Sequence, residues 1–430
     1  MKRLALILAF TLGLASFDAA AQWYLFPGFS KKAKTDTTAV QPVTGKEEQV
    51  SEPVIDAVSP EITEESAVAI ETTDTVQYPV FIQDIPETIS LSLLLPFESK
   101  GKLNSGMMEF YSGALLAARD LGRKGISIDF NVYDCSAGHP GISDWALENT
   151  DVLIGPIAYN DILQRVDAIP EGKFAVSPLD AQAVQLVRSF PVIQAAAGSE
   201  LQMEEMFKWI LEDREFQDRI VVVRENGADA GEYENAVIAG LDSLGINYST
   251  ITYGILQGLR IGSEFLSKSS HDGTTRFIIA SENESFVGDA VRNIGLLQHK
   301  GRQVALYGTS KLRSYPSIET DDFHTVGLRL AANYYADYND PDVKAFVLAY
   351  RTLFNAEPGS FAFSGYDITK HFVSLCARYG RNWALRVDEA FSRGLYSDFS
   401  FTRPEGAVGA ANTAVRRVVY NPDFTISISR

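Results

Sequence analysis

From Ile89 onward, short apolar runs alternate with amphipathic helical patterns, and this alternation is what most restricts the fold. "ISLSLLLPF" (89–97), "ISIDFNVYD" (126–134), "DVLIGP" (151–156) and "KFAVSP" (173–178) read as strands. "SGMMEFYSGALLAARDLG" (105–122) reads as a helix with Phe110, Ala114, Ala118 and Leu121 on one face. A second set follows, with helices at 201–213, 231–245 and 284–298 and strands at 219–226, 248–254, 275–281 and 303–309. Strands that are apolar at successive positions are covered on both faces, which calls for parallel sheets flanked by helices. The expected class is α/β, with two doubly wound parallel-sheet lobes, one starting from 89–198 and one from 199–325. Ligands in such sheets sit beyond the carboxyl ends of the strands.

The N-terminus reads differently. Lys2 and Arg3 precede an apolar run from Leu4 to Leu14, and Ala19 and Ala21 occupy the −3 and −1 positions of a cleavage before Gln22. Residues 1–21 therefore read as a secretory signal peptide, and the expected location is the periplasm, without a lipid anchor. Residues 22–87 read as an acidic disordered linker: within 31–80, ten acidic residues face four Lys and no periodicity persists. The formal net charge of −17 and the lack of a basic patch exclude a nucleic-acid partner and an anionic membrane surface. No later apolar stretch reaches membrane-spanning length, so no membrane insertion is expected once the signal is removed.

Motifs for catalysis are lacking. The five His residues, at 139, 271, 299, 324 and 371, share no metal-binding spacing. "SKGK" (99–102) matches Ser-x-x-Lys without the companion motifs of acyl-transfer enzymes, and it precedes the helix instead of opening it. The expectation is a non-enzyme with no metal and no cofactor. Cys135 and Cys376 read either as two buried free thiols or as a bridge, which export would permit. Trp145 in "GISDWALENT" reads as a packing residue.

Several stretches in order resemble the type I periplasmic binding proteins of the leucine-binding-protein-like group. They are "EFYSGALLAARDL" (109–121), "YDCSAG" (133–138), "DVLIGP", "FAVSP" and, most distinctively, "YRTLFNAEPGSFAFSGYDITKHF" (350–372). The resemblance spans 88–430. It implies lobes joined by crossovers near 196–200, 326–334 and 402–408. The first lobe would combine about 88–198 with 330–402, and the second about 199–329 with 405–430. A cleft between them would hold a ligand and close by hinge motion.

The same resemblance points to cleft candidates. The loop after "IGP", which offers hydroxyls to a ligand carboxylate in amino-acid binders, carries Tyr159 and Asn160 here. Ser177 and Asp180 follow the next strand, and Asn226, Ser281, Glu282, Thr309 and Ser310 follow strands of the second lobe. The clamp for a zwitterion is largely missing, and a buried ammonium without its partner costs several kcal/mol. The resemblance thus implies a module that binds a small polar solute, not a free α-amino acid, and delivers it to a membrane transporter. Relatives that carry LysM modules or act on peptidoglycan synthases give the alternative. That is a cell-envelope docking protein working with peptidoglycan synthesis machinery and no small ligand.

Overall fold

The computed structural model describes residues 84–139, 141–227, 231–255 and 260–429. The expected signal peptide and nearly all of the expected linker lie outside the described residues. The last linker positions, however, are anchored: Asp84 takes two hydrogen bonds from Arg381 Nη1, at 2.8 and 2.9 Å, and its carbonyl accepts from Arg381 N–H. No helix of the described residues is long and apolar enough to cross a membrane.

Two seven-stranded sheets form the two lobes. The first is built from β1 (Ile89–Leu95), β2 (Ile128–Asp134), β3 (Val152–Ile154), β4 (Ala175–Ser177) and β5 (Val192–Gln194). The second takes β6 (Arg219–Glu225), β7 (Ser249–Tyr253), β8 (Thr274–Ile279), β9 (Gln303–Thr309) and β10 (Arg329–Ala332). Then β11 (Phe401–Thr402) and β12 (Ala410–Asn412) return to the first sheet, and β13 (Arg416–Tyr420) and β14 (Ile426–Ser429) to the second. The orders are β11-β12-β5-β4-β3-β1-β2 and β14-β13-β10-β9-β8-β6-β7. Pairing is parallel except at β11–β12, β10–β13 and β13–β14. Leu91, Leu93 and Leu95 on one face of β1 and Ser92 and Leu94 on the other are all buried, as a strand covered on both faces requires.

One crossing falls at the late end of its expected range and one lies later than the sequence suggested. Residues 329–332 still belong to the second sheet, so the second crossing follows Ala332, within the expected 326–334. The third crossing, expected at 402–408, follows Asn412, because Ala410 and Ala411 pair in parallel with Ile193 and Gln194. A three-residue strand of Ala-Ala-Asn has neither the β-propensity nor the length to show a period. Its packing demands a neighbouring glycine instead: a Cβ on Gly409 would overlap the carbonyl of Val192.

Side chains tie the crossings together. Asn333 Nδ2 donates to the carbonyls of Ala197 (2.8 Å) and Gly198 (3.0 Å). Asn412 Nδ2 donates to those of Ala195 and Asp398, both at 3.0 Å. The guanidinium of Arg416 is buried against Asp398, with Nη2–Oδ1 at 2.6 Å, and reaches the carbonyls of Tyr335, Leu395 and Gly394. Asp367, buried in the long helix Ser360–Tyr379, accepts from the backbone N–H groups of Leu395, Tyr396 and Ser397. The Tyr366-Asp367 pair therefore sits in mid-helix, with Asp367 holding the 395–397 amides and the Tyr366 hydroxyl donating to Asp120.

That helix packs against α1 (Ser105–Arg123) at very short range. A Cβ on Gly113 would overlap the carbonyl of Ala362, and one on Gly365 that of Phe110. The family-like Gly113-Ala114 pair is thus explained by helix contact. The buried face of α1 uses Ala117, with the expected Ala118 half-buried beside it.

His371 belongs to the same core. Its ring stacks on Phe399 (4.5 Å, 23°) and Phe401 (5.5 Å, 25°), and Nδ1 lies 2.6 Å from Ser392 Oγ. Burial pulls its pKa from 6.5 down to about 3. Above pH 6.5 the ring is neutral in folded and unfolded chains alike. As pH falls from 6.5 towards 3, the unfolded chain takes up a proton that the folded chain refuses, so stability is lost by up to about 1.4 kcal/mol per pH unit. Denaturant unfolding between pH 6.5 and 5 is expected to fall about 2 kcal/mol less steeply in His371→Phe than in the parent chain. Parallel pH profiles for the two proteins would contradict this.

Candidate functional site

The carboxyl ends of the strands define the candidate site. In the first lobe, β3 is followed by Gly155, whose φ of +101° and contact with the Leu94 carbonyl leave no room for a side chain. The following turn leads into the helix Tyr159–Arg165. Asp180, after β4, caps this region: its Oδ2 accepts from Tyr159 N–H at 2.7 Å and its Oδ1 from Gln182 N–H at 2.9 Å. Such caps satisfy amides that a helix start leaves without partners. The Tyr159 ring packs on the cluster of Ile162, Val166, Ala183, Leu186 and Val192. Asn160 is exposed. Ser177 is fully buried, and its Oγ has no hydrogen-bond partner among the described residues. Tyr159 and Asp180 are therefore spent on structure, and the first-lobe edge is made largely of half-buried Phe97, Ile157 and Leu179.

Beside them, Asp134 at the end of β2 is held by Ser136 and by the N–H of Phe97. Burial opposes its ionisation, but these hydrogen bonds and nearby His139 outweigh it, so its pKa falls below the ordinary carboxylate value. Cys135 lies next to it and is free, as is Cys376. The two thiols pack in different clusters, Cys135 against Leu94 and Leu153, Cys376 among Phe372 and Trp383. Burial pushes Cys135 up to about 11 and Cys376 up to about 12. Trp145 is 74% exposed, contrary to the packing role expected from sequence, because the short helix Asp144–Glu148 turns it outward while burying Ala146 and Leu147.

The second-lobe edge is more polar. Ser281 Oγ (3.1 Å) and Asn283 Nδ2 (2.8 Å) both donate to Glu225, at the end of β6. Glu282 pairs with Lys311 at 3.3 Å, and Tyr315 donates to the Glu282 carbonyl at 3.1 Å. Thr309 is buried, and burial pushes the phenol of Tyr233 up to about 12. Ser310 is exposed, and its N–H donates to Gln202 Oε1 at 2.9 Å. Asn226 is exposed, with its N–H on the Tyr253 carbonyl. Ser281, Glu282, Thr309 and Ser310 thus stand together at the ends of the paired strands β8 and β9.

A cluster beside this edge escaped the sequence reading. Arg313, in the turn after β9, lies with its guanidinium carbon 4.9 Å from the ring centre of Tyr335. Tyr334 stacks on Tyr396 at 5.3 Å and 22°, and Tyr396 contacts Phe363. The run "NYYADY" (333–338) after a strand was the available signal, masked by its assignment to a crossover. Ser99 and Lys102, the Ser-x-x-Lys pair, face each other in an exposed two-stranded hairpin. A separate open cavity of about 730 Å³ lies at the other end of the second lobe, where β6 and β7 begin. It is bordered by Arg214, Phe216, Tyr248 and Lys268 and lies away from the carboxyl ends.

No protein-family model matches the chain, and no curated protein matches it. Solved structures do. A putative branched-chain amino acid ABC transporter from Rhodospirillum rubrum aligns over 80% of this chain and 100% of its own, at 15% identity and a TM-score of 0.51. An ABC-type branched-chain amino acid transporter from Rhodopseudomonas palustris aligns over 80% and 96%, at 12% identity and 0.46. A branched-chain amino acid substrate-binding protein from Streptococcus pneumoniae, solved with isoleucine, aligns over 80% and 99%, at 13% identity and 0.41. At such identities the similarity is one of fold. The chain has the two-lobed α/β fold of type I periplasmic binding proteins.

Proposed function

We propose that the chain is an exported solute-binding module that holds a small polar ligand, other than a free α-amino acid, between its lobes. The observation that carries this reading is the pairing of two doubly wound sheets with an unspent polar edge on the second lobe. Asn226 and Ser310 are exposed there, beside the exposed Glu282–Lys311 pair. The case against an amino acid rests on the first lobe, where Asp180 and Tyr159 are engaged with backbone and core. The Asp180 carboxylate on that edge repels an incoming carboxylate, and each tenfold in affinity is about 1.4 kcal/mol. Delivery to a membrane transporter follows from the reading.

Thermal-shift screening of the mature chain against amino acids, sugars, organic acids and peptides tests it. At least one non-amino-acid solute is expected to raise the melting temperature, with leucine and glutamate silent in calorimetry. Tight leucine or glutamate binding would overturn the ligand assignment. The same spent residues favour a second reading, a docking module of the cell envelope. A chain that no solute stabilises, but that retains an envelope protein in pull-downs, would favour it.

A further inference from the structure

Arg313 lacks an acid. Several other buried or half-buried guanidiniums have one: Arg276 meets Asp218 at 2.6 Å, Arg416 meets Asp398 at 2.6 Å, and Arg417 meets Glu205 at 2.6 Å. Half-buried Arg302 and Arg403 bond backbone carbonyls instead. Arg313 is half-buried as well, yet among the described residues it has no carboxylate partner. Of the nearby acids, Glu282 pairs with Lys311, Glu357 pairs with Arg351, and Asp337 accepts from the N–H of Asn339. Leaving a partly desolvated cation unpaired in a chain of net charge −17 is costly, and a site of this kind draws in anions.

Its surroundings are aromatic. Tyr335 lies under the guanidinium, and Tyr338 and Tyr396 are close enough for its charge to favour their ionised forms. Burial prevails, holding Tyr334 and Tyr396 at about 12, so their hydroxyls remain protonated donors. Arg313 comes from the second lobe, whereas Tyr338 and Tyr396 rest on Phe363 in the helix core of the first. The cluster thus spans the lobe boundary at the carboxyl ends of β9 and β10. A planar guanidinium binds a carboxylate through two parallel hydrogen bonds, tyrosine hydroxyls add donors, and stacked rings accept a flat or apolar body.

We propose that Arg313 is the anion-recognising residue of the interlobe cleft, and that the ligand is a small organic carboxylate with a ring-shaped body and no ammonium. The inference rests on the solute-binding reading above and narrows it to one ligand class. Calorimetry and thermal shift on the mature chain test it with benzoate and cyclohexanecarboxylate, the neutral amide benzamide, leucine and glucose. The parent protein is compared with Arg313→Gln and Arg313→Lys. An acid is expected to bind the parent, with its amide and Arg313→Gln each weaker by roughly 10- to 100-fold, and Arg313→Lys in between. If Arg313→Gln does not fold, by circular dichroism, the acid–amide comparison in the parent chain decides. Equal binding of acid and amide, unchanged acid binding in folded Arg313→Gln, or binding of glucose alone overturns the inference and leaves solute binding intact. Silence from every probe and from the wider solute screen overturns both.

Discussion

Arg416→Met is expected to destabilise the protein by about 3–5 kcal/mol, the usual loss when one partner of a buried ion pair is removed. Arg416 is 2% and Asp398 8% exposed, so the carboxylate left behind has no water to replace the guanidinium. The carbonyls of Tyr335, Leu395 and Gly394 lose their donor at the same time. Because those carbonyls belong to the segments that join the lobes, the loss falls on the crossing region. Guanidinium chloride unfolding at neutral pH measures it. Asp398→Leu combined with Arg416→Met is expected to recover part of the loss, since no charge then stays buried alone. A single-variant loss below about 1 kcal/mol would show that the pair is solvated and that the crossings are held by Asn333 and Asn412 instead.

Gly365→Ala separates two opposed effects. Helix propensity alone predicts a gain of about 1 kcal/mol, because Gly is the poorer residue in a helix interior. Contact with α1 predicts the reverse, since the new Cβ would overlap the Phe110 carbonyl and backbone yields only by moving the helices apart. A net loss of about 3 kcal/mol is expected, with Gly113→Ala behaving alike against the Ala362 carbonyl. Thermal or denaturant unfolding reads the sign directly. A stabilised Gly365→Ala would mean that the two helices pack less closely than described.

The elements of both sheets were legible because their residues obey local rules. The "ISLSLLL" and "RIVVVRE" strands carry apolar residues on both faces in their middle, and the helices repeat every three or four residues. Strands such as Ala410–Asn412 were not legible, since their place is set by close packing on β5 and not by their own propensity. Candidate site residues show the same division. Tyr159, Ser177 and Asp180 could be placed after particular strands, but the sequence could not show that Asp180 would be spent on the amide of Tyr159, twenty-one positions away. Nor could it show that Arg313 would lie over Tyr335 with no carboxylate at hand.

The sequence by itself determined the α/β class and the two-lobed layout, because apolar periodicity and strand–helix order act over short stretches of chain. Only the tertiary structure decided which polar groups are engaged. Burial and hydrogen bonding between distant segments satisfy some side chains, as at Asp180, and leave others exposed, as at Asn226 and Ser310, or without a carboxylate partner among the described residues, as at Arg313.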